Sequence, residues 1–444
     1  LTGQMIIFGN QQLRMARNKK PNQGNIAEKQ TEQPVAVAVA GTPKPAYSIY
    51  NFKVQAVIIG LIAFIFYFNS FFNEYAHDDG IVIVKNEYVQ EGFAGIPKIM
   101  TRDAYDSYYR QLNTTNQLSG GRYRPLSIVT FAIEQQFMGT LSADNADSVL
   151  RQNNAYGVRG KAEEKLISNM HVRHVFNVLW YILSLVVLLY FLRYVVFKTE
   201  PIMAFVATLL FAIHPIHTEV VANVKSRDEI MSLLFLGLTF IFAFKYYELK
   251  DKKWLISGLV CYLLAFLSKE YAVGLILLLP LSFYLFGKFS ITDSLKASLP
   301  YFAVMAVYMV IRLQIVAPMS EDSSKDILNN PYALASEAQE LATKISTTLN
   351  YLKLLVFPHP LSADYSYNTI PYKDVTDPIV WLSLGVHIAL FRAFFYYLKR
   401  RHLLSFAIAF YFINILLICN IIICLHFHQP LIICNNLIFQ GSIY

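Results

Sequence analysis

KVQAVIIGLIAFIFYFNSFF, residues 53–72, runs directly into NEYAHDD, residues 73–79, and this junction decides how the chain is read. Twenty residues whose only charge is Lys53 match the roughly 20 that a helix needs to cross the hydrocarbon of a bilayer. A basic tail precedes the run, but no small-residue cleavage site follows it. It is also too long for the apolar core of a signal peptide, so it reads as a retained anchor. Its end delivers His77, Asp78 and Asp79 just beyond the lipid surface, where a polar cluster is costly and needs a reason.

Composition points the same way. Of 444 residues, 55% are hydrophobic and 15% charged, with a mean hydropathy of +0.39. A soluble domain carries about 25% charged residues, and lipid-facing surface explains the deficit. The formal net charge of +8 is scattered through short loops, which fits positive-inside topology better than nucleic-acid binding. Cys261, Cys419, Cys424 and Cys434 form no CxxC or Cys/His zinc spacing. The first three lie in apolar runs and read as small apolar residues, with no disulfide framework and no structural metal.

Counting outward from the first run gives nine apolar segments, at about 53–72, 172–196, 200–216, 229–247, 254–268, 271–287, 298–316, 378–397 and 403–425. The expected fold is an all-α polytopic membrane protein with about nine transmembrane helices. Residues 1–52 read as a disordered cytoplasmic tail, with a natural start at Met15, and 53–425 as the transmembrane domain. With Arg17, Lys19 and Lys20 inside, the basic loops holding Arg193 and Lys198, then Lys245, Lys250, Lys252 and Lys253, then Lys288 and Lys296, then Lys399, Arg400 and Arg401 all fall inside. This is the distribution that the positive-inside rule asks for. The long segments 73–171 and 317–377 then lie outside. Within the first, Ile99 to Leu112 and Ile128 to Phe137 read as helices on the membrane surface. The second holds a helix near 334–357 whose latter part dips into the membrane without crossing it.

Every conspicuous polar cluster lands on that same outer side. Asp78 or Asp79 can accept a proton from a hydroxyl as a general base; the plain alternative is a solvated pair that caps the next element. Arg122 and Arg124 flank Tyr123, and a planar guanidinium suits phosphate oxygens, although snorkelling toward headgroups accounts for them equally well. His214, His217 and Glu219 resemble metal-ligand spacing, but Pro215 interrupts the helix that would align them. Hydrogen bonding in a cavity is the preferred reading, and no metal is expected. Asp228 and Glu229 open the fourth helix, where acids suit the helix dipole, whereas Arg227 opposes it and is free to meet an anion. Lys269 and Glu270 sit in a tight outer turn, either as a local salt bridge of small value or with the lysine beside a phosphate leaving group.

The strings His77-Asp78-Asp79-Gly80-Ile81-Val82 and Tyr123-Arg124-Pro125-Leu126-Ser127 resemble the start of GT-C fold glycosyltransferases. His174-Val175-Phe176-Asn177, His214-Pro215-Ile216-His217-Thr218-Glu219, Ser226-Arg227-Asp228-Glu229, Lys269-Glu270 and Phe357-Pro358-His359-Pro360-Leu361-Ser362-Ala363-Asp364-Tyr365-Ser366 narrow the resemblance. They are similar to the transmembrane O-mannosyltransferases that carry tetratricopeptide repeats, and to their bacterial relatives, over about residues 53–420. The resemblance implies an inverting transfer of a hexose such as mannose. The donor would be a polyprenyl-phosphate sugar and the acceptor a hydroxyl of an exported protein or glycan. Asp78 or Asp79 would be the base, with Arg124, Arg227 and Lys269 meeting the lipid phosphate. His77, Arg122, His214, His217, Glu219, Asp228, Glu229, Glu270, Asp364 and Tyr365 would line the site. No cofactor beyond the lipid-linked co-substrate is expected. The membrane would be a bacterial inner membrane or the endoplasmic reticulum. Residues 426–444 depart from the family pattern and read as a frameshifted or truncated end, and no tetratricopeptide repeat is present. Two rival readings remain at this stage: a transporter or flippase of a lipid-linked or anionic solute, and an inactive scaffold.

Overall fold

The computed structural model describes residues 48–76, 78–112, 122–138, 161–316, 331–362 and 369–419. Among these residues every regular element is helical. Helix α1 (Phe52–Tyr67) starts at Asn51, whose side chain accepts from the Lys53 amide, and continues as the 3-10 turn Phe68–Phe72. It buries Gln55, Ile59, Ala63 and Tyr67, a stripe with the four-residue spacing of one helix face. Val178, Tyr181 and Leu185 of α6 (Lys161–Phe191) join Ile59, Ala63 and Tyr67 in one cluster. Val57, Leu61, Ile65 and Phe66 on the other side of α1 are exposed, as a lipid-facing surface requires.

Between α1 and α6 lie the short helices α2 (Glu87–Gln90), α3 (Ile96–Thr101), α4 (Asp106–Gln111) and the longer α5 (Pro125–Met138). Val82, Ile83, Val89, Ile99, Tyr109, Ile128 and Phe131 give this segment its own apolar core. Ile128 to Phe137 is helical as expected, with Ile133 and Phe137 exposed on one face. Ile128, Phe131, Ala132 and Gln135 are buried, because the other face of α5 packs against the bundle. Helix α6 starts at Lys161, ten residues inside the stretch read as loop.

Helices α7 (Pro201–Ile213) and α8 (Thr218–Ala222) are the two arms of a run bent by 52°. The break falls at His214-Pro215, where proline ends the ladder. Helices α9 (Arg227–Leu249) and α10 (Lys252–Ser268) form a tight hairpin. Lys250 closes α9 in the left-handed region at φ 56°, and the Asp251 side chain caps α10 by accepting from the Lys253 amide. The 3-10 turn Glu270–Gly274 leads into α11 (Leu275–Phe286), followed by α12 (Ile291–Ile315), α13 (Glu337–Val356), α14 (Pro378–Lys399) and α15 (Leu403–Cys419). Helix α13 opens with a capping box between Ser336 and Gln339. It packs on α14 through Ser383, whose hydroxyl donates to the Ile345 carbonyl at 2.5 Å.

Each of the nine apolar segments is helical within the described residues, but fewer than nine helices are long enough to be counted as crossings by length alone. Among the described residues, five helical stretches are long and apolar enough to cross a bilayer, and the bent pair makes a sixth. The runs at 254–268, 271–287 and 403–425 yield shorter apolar helices. Helix α10, with 17 residues, is at the short end of what spans a bilayer, and it returns beside α9 far enough for Lys269 to meet Asp228 and Glu229 at the start of that helix. The molecule is a multi-pass, all-helical membrane protein.

Candidate active site

The end of α1, the start of α9 and the ends of α10 and α12 meet at one end of the bundle, and charged side chains join them there. Arg124, just before α5, lies at the centre and is buried. Its Nε donates to Glu270 Oε2 at 2.9 Å and its Nη2 to Glu270 Oε1 at 2.6 Å. Its Nη1 reaches Asp228 Oδ2 at 3.0 Å. A two-pronged guanidinium–carboxylate pair of this kind fixes orientation as well as charge. Lys269 does not pair with its neighbour Glu270. Its extended backbone caps the end of α10, and its ammonium reaches Glu229 Oε1 at 2.6 Å and Asp228 Oδ2 at 3.6 Å.

A second buried cluster lies beside the first. Arg227 donates through Nε to Asn177 Oδ1 at 2.8 Å and through Nη1 to Thr130 at 3.0 Å, and pairs closely with Glu134. Glu134 also faces Arg173 Nε at 3.4 Å. Arg173 in turn bonds Tyr75 Oη at 2.5 Å and Gln135 Oε1 at 2.6 Å. Asn177 donates to the carbonyls of Val221 and Asn223 at 3.3 and 2.9 Å. This lattice stitches α5, α6 and the α8–α9 connection to the strip of chain that follows α1.

That strip carries the carboxylate pair, and the two members have different surroundings. Asp79 is fully buried; its Oδ1 accepts from the Lys225 amide at 2.7 Å and its Oδ2 from the Ala76 amide at 3.1 Å. Asp78 keeps a side chain 25% exposed. Its described contacts all run to Oδ2, from Tyr105 Oη at 2.7 Å, Arg122 Nη1 at 3.4 Å and Lys225 Nζ at 3.6 Å. Burial pushes the Asp78 carboxyl up, but Lys225, Tyr105 and Arg122 together outweigh it and hold it below its ordinary value.

Burial wins for Asp79, whose carboxyl is pushed up from 3.8 to about 6 against the pull of the Ala76 and Lys225 amides. The folded chain therefore holds this proton more tightly than the unfolded chain does. The stability it contributes is full below pH 3.8 and lost as pH rises through 6, a difference of about 3 kcal/mol. Burial raises Asp103 to about 6 as well, so the expected signature is an infrared carboxyl band titrating near pH 6 that loses the Asp79 share, and keeps the Asp103 share, in Asp79→Asn. Titration at the ordinary carboxylate value would count against it.

With this geometry in view, the comparisons with known proteins become informative. The chain is 30% identical to human protein O-mannosyl-transferase TMTC1 over 175 residues, 39% of this chain and 16% of that protein. It is 23% identical to mouse protein O-mannosyl-transferase TMTC3 over 356 residues, 72% of this chain and 33% of the relative. Drosophila melanogaster protein O-mannosyl-transferase Tmtc2 is 22% identical over 317 residues, 70% of this chain and 30% of the relative. This chain is similar to the TMTC protein O-mannosyl-transferases. The matches span between 16% and 33% of the length of these relatives. No protein-family profile matches the chain, and no solved structure matches it.

The motifs that carry the TMTC resemblance are largely those brought together here. Asp228, Glu229, Lys269 and Glu270 share one network with Arg124, and Asp78 and Arg122 form a neighbouring group with Lys225, which interacts electrostatically with Asp228. Glu219 touches the edge of that group, accepting from Asn223 Nδ2 at 2.8 Å and Ser226 Oγ at 3.2 Å. The two histidines point elsewhere. His214 Nε2 lies 3.2 Å from the Leu355 carbonyl on α13, and the His217 ring packs on Phe211 at 4.2 Å between centroids. The histidines and Glu219 thus go to separate partners, and no group of three metal-binding side chains is gathered among the described residues. His77, Asp364 and Tyr365 lie outside the described residues. An open cavity of about 430 Å³ near the end of α14, lined by Phe395, Tyr396, Lys399 and Arg400, contains none of these groups.

All three cations expected to meet phosphate, Arg124, Arg227 and Lys269, are buried against carboxylates, and among those carboxylates Glu229, which holds Lys269, is the most open at 36% exposed. Two residues that sequence reading passed over, Tyr105 and Lys225, touch Asp78 directly. Tyr105 carried no local signal. Lys225 did: a lysine in a short connection expected on the outer side runs against the positive-inside rule.

Proposed function

We propose that this chain is the membrane-embedded catalytic part of a glycosyltransferase. It would move a hexose, mannose by analogy with its TMTC relatives, from a polyprenyl-phosphate donor to a Ser or Thr hydroxyl of an exported protein. The observation that carries this reading is the division of labour within the carboxylate pair. Asp79 is sealed and capped by amides, whereas Asp78 is ionised, partly open and framed by Tyr105, Arg122 and Lys225.

Asp78 takes the proton from the acceptor hydroxyl. The hydroxyl oxygen forms the new bond to the anomeric carbon with inversion, and the bond from that carbon to the phosphate oxygen breaks. The lipid phosphate leaves with the electron pair. A lipid phosphate is already a good leaving group, so neither a metal nor a strong general acid is required. Lys269 is the cation placed to meet the departing charge, because its partner Glu229 is 36% exposed and can yield to a stronger anion. Arg124 and Arg227 act as scaffold. The site lies on the extracytoplasmic side, with the N-terminus in the cytoplasm, as the short basic loops imply.

The test uses membranes containing the full chain, a labelled polyprenyl-phosphate mannose and a Ser/Thr peptide on the outer face. The expected product is a peptide that carries one hexose on Ser or Thr. Movement of label across the vesicle membrane with no labelled peptide would favour the transport reading instead.

A further inference from the structure

Lys225 touches both members of the carboxylate pair, and does so with different parts of itself. Its amide donates to Asp79 Oδ1 at 2.7 Å, while its ammonium lies 3.6 Å from Asp78 Oδ2. The residue is held from several sides. Its amide also faces Asn223 Oδ1 at 3.2 Å; Asn223 is fixed by Glu219 at 2.8 Å and by the Asn177 side chain on its carbonyl at 2.9 Å. On the opposite side, Asp79 folds its own turn, donating its amide to the Ala76 carbonyl at 3.0 Å and accepting from the Ala76 amide at 3.1 Å. Lys225 therefore joins two segments that lie 146 residues apart in the chain.

We propose that Lys225 is the positioning residue of the carboxylate pair: its main chain clamps Asp79, and its ammonium aims Asp78 and keeps it ionised. The inference rests on the reading of Asp78 as the base. Asp78 is free to turn about its side-chain bonds, and adjacent residues in a tight turn do not share a direction. The Lys225 ammonium, the Tyr105 hydroxyl and Arg122 converging on Oδ2 leave it one favourable orientation. The other charged groups near this pair are Arg122 and Arg124 from the segment before α5, Asp228 at the start of α9 and Lys269 after α10. Burial pushes the Lys225 ammonium down to about 8, so at neutral pH it still bears the charge that this role needs.

A side-chain substitution separates the two contacts, because Lys225→Met retains the amide that clamps Asp79. In the full chain, Lys225→Met is expected to lower kcat by about tenfold or more, with KM for the polyprenyl-phosphate sugar nearly unchanged. The acidic limb of the kcat profile should move to higher pH, since loss of a neighbouring cation favours the neutral acid. Lys225→Arg should restore most of the rate and return the limb toward its original position. Lys225→Gln provides the same comparison if the methionine variant does not accumulate.

An unchanged kcat with an unmoved acidic limb overturns the proposal. So does a rise in KM for the donor with kcat preserved, which would make Lys225 a donor-binding residue. Asp78→Asn, assayed alongside, keeps the two levels apart. If Asp78→Asn still transfers sugar, the base reading falls and this proposal with it. If Asp78→Asn is inactive while Lys225→Met behaves as the parent chain, only the role of Lys225 falls.

Discussion

Asp78→Asn is expected to lower sugar transfer by about 10²- to 10⁴-fold, the range associated with losing a positioned general base. Little of the fold should change with it. Asparagine retains an oxygen that can accept from Tyr105 and Arg122, and a side chain 25% exposed pays little for becoming neutral. Asp79→Asn should behave differently. Both Asp79 oxygens accept from main-chain amides, of Ala76 and Lys225. An amide side chain must present NH₂ to one of these donors, leaving a buried N–H without an acceptor, a cost of about 1–3 kcal/mol. The Asp79 variant should thus lose stability first and activity only as a consequence. Measuring kcat and thermal unfolding of both variants in one detergent checks the contrast. A fully active Asp78→Asn protein would remove the basis of the mechanism.

The second large effect is structural. Glu270→Ala leaves the Arg124 guanidinium with Asp228 as its one described carboxylate partner, in a site that is 4% exposed. Removing one side of a buried ion pair costs about 3–5 kcal/mol, because the charge left behind is neither solvated nor matched. The same variant leaves α9 and α10 otherwise intact, so the loss should appear as lower thermal stability and poorer accumulation in the membrane. Replacing Arg124 and Glu270 together with methionine removes both charges at once. It should cost clearly less than the sum of the two single changes. Equal and additive losses would mean that the pair is not coupled.

The helices were legible because their signal is local. A run such as residues 53–72 carries its own length and apolarity, and the break at His214-Pro215 carries its proline. The number of crossings was harder to read, since apolar runs of 15 to 17 residues look alike whether they cross or stop short. Pairing was hardest of all. Lys269 and Glu270 are neighbours in sequence, which suggested a local bridge, yet the extended backbone at Lys269 sends them in different directions. Glu270 meets Arg124, 146 residues away, and Lys269 turns to the start of α9. Nothing within a few residues of Arg124 announces that its charge is already spoken for. The same holds for Arg227, whose match to Glu134 depends on one face of α5 packing against the bundle. Tyr105 could be found only by folding the segment that carries it.

The span of the Arg124–Glu270 pair bears on how the protein is made. Arg124 leaves the ribosome long before its carboxylate, and Asp228 follows roughly a hundred residues later. Until Asp228 emerges the early segment carries a cation with no counterpart, and until the turn after α10 follows, its two-pronged partner Glu270 is missing. Arrival of Glu270 thus completes the pairing of Arg124. A nascent chain halted before Asp228 should present unneutralised charge to quality control, whereas one halted just beyond Glu270 can already close its charged centre.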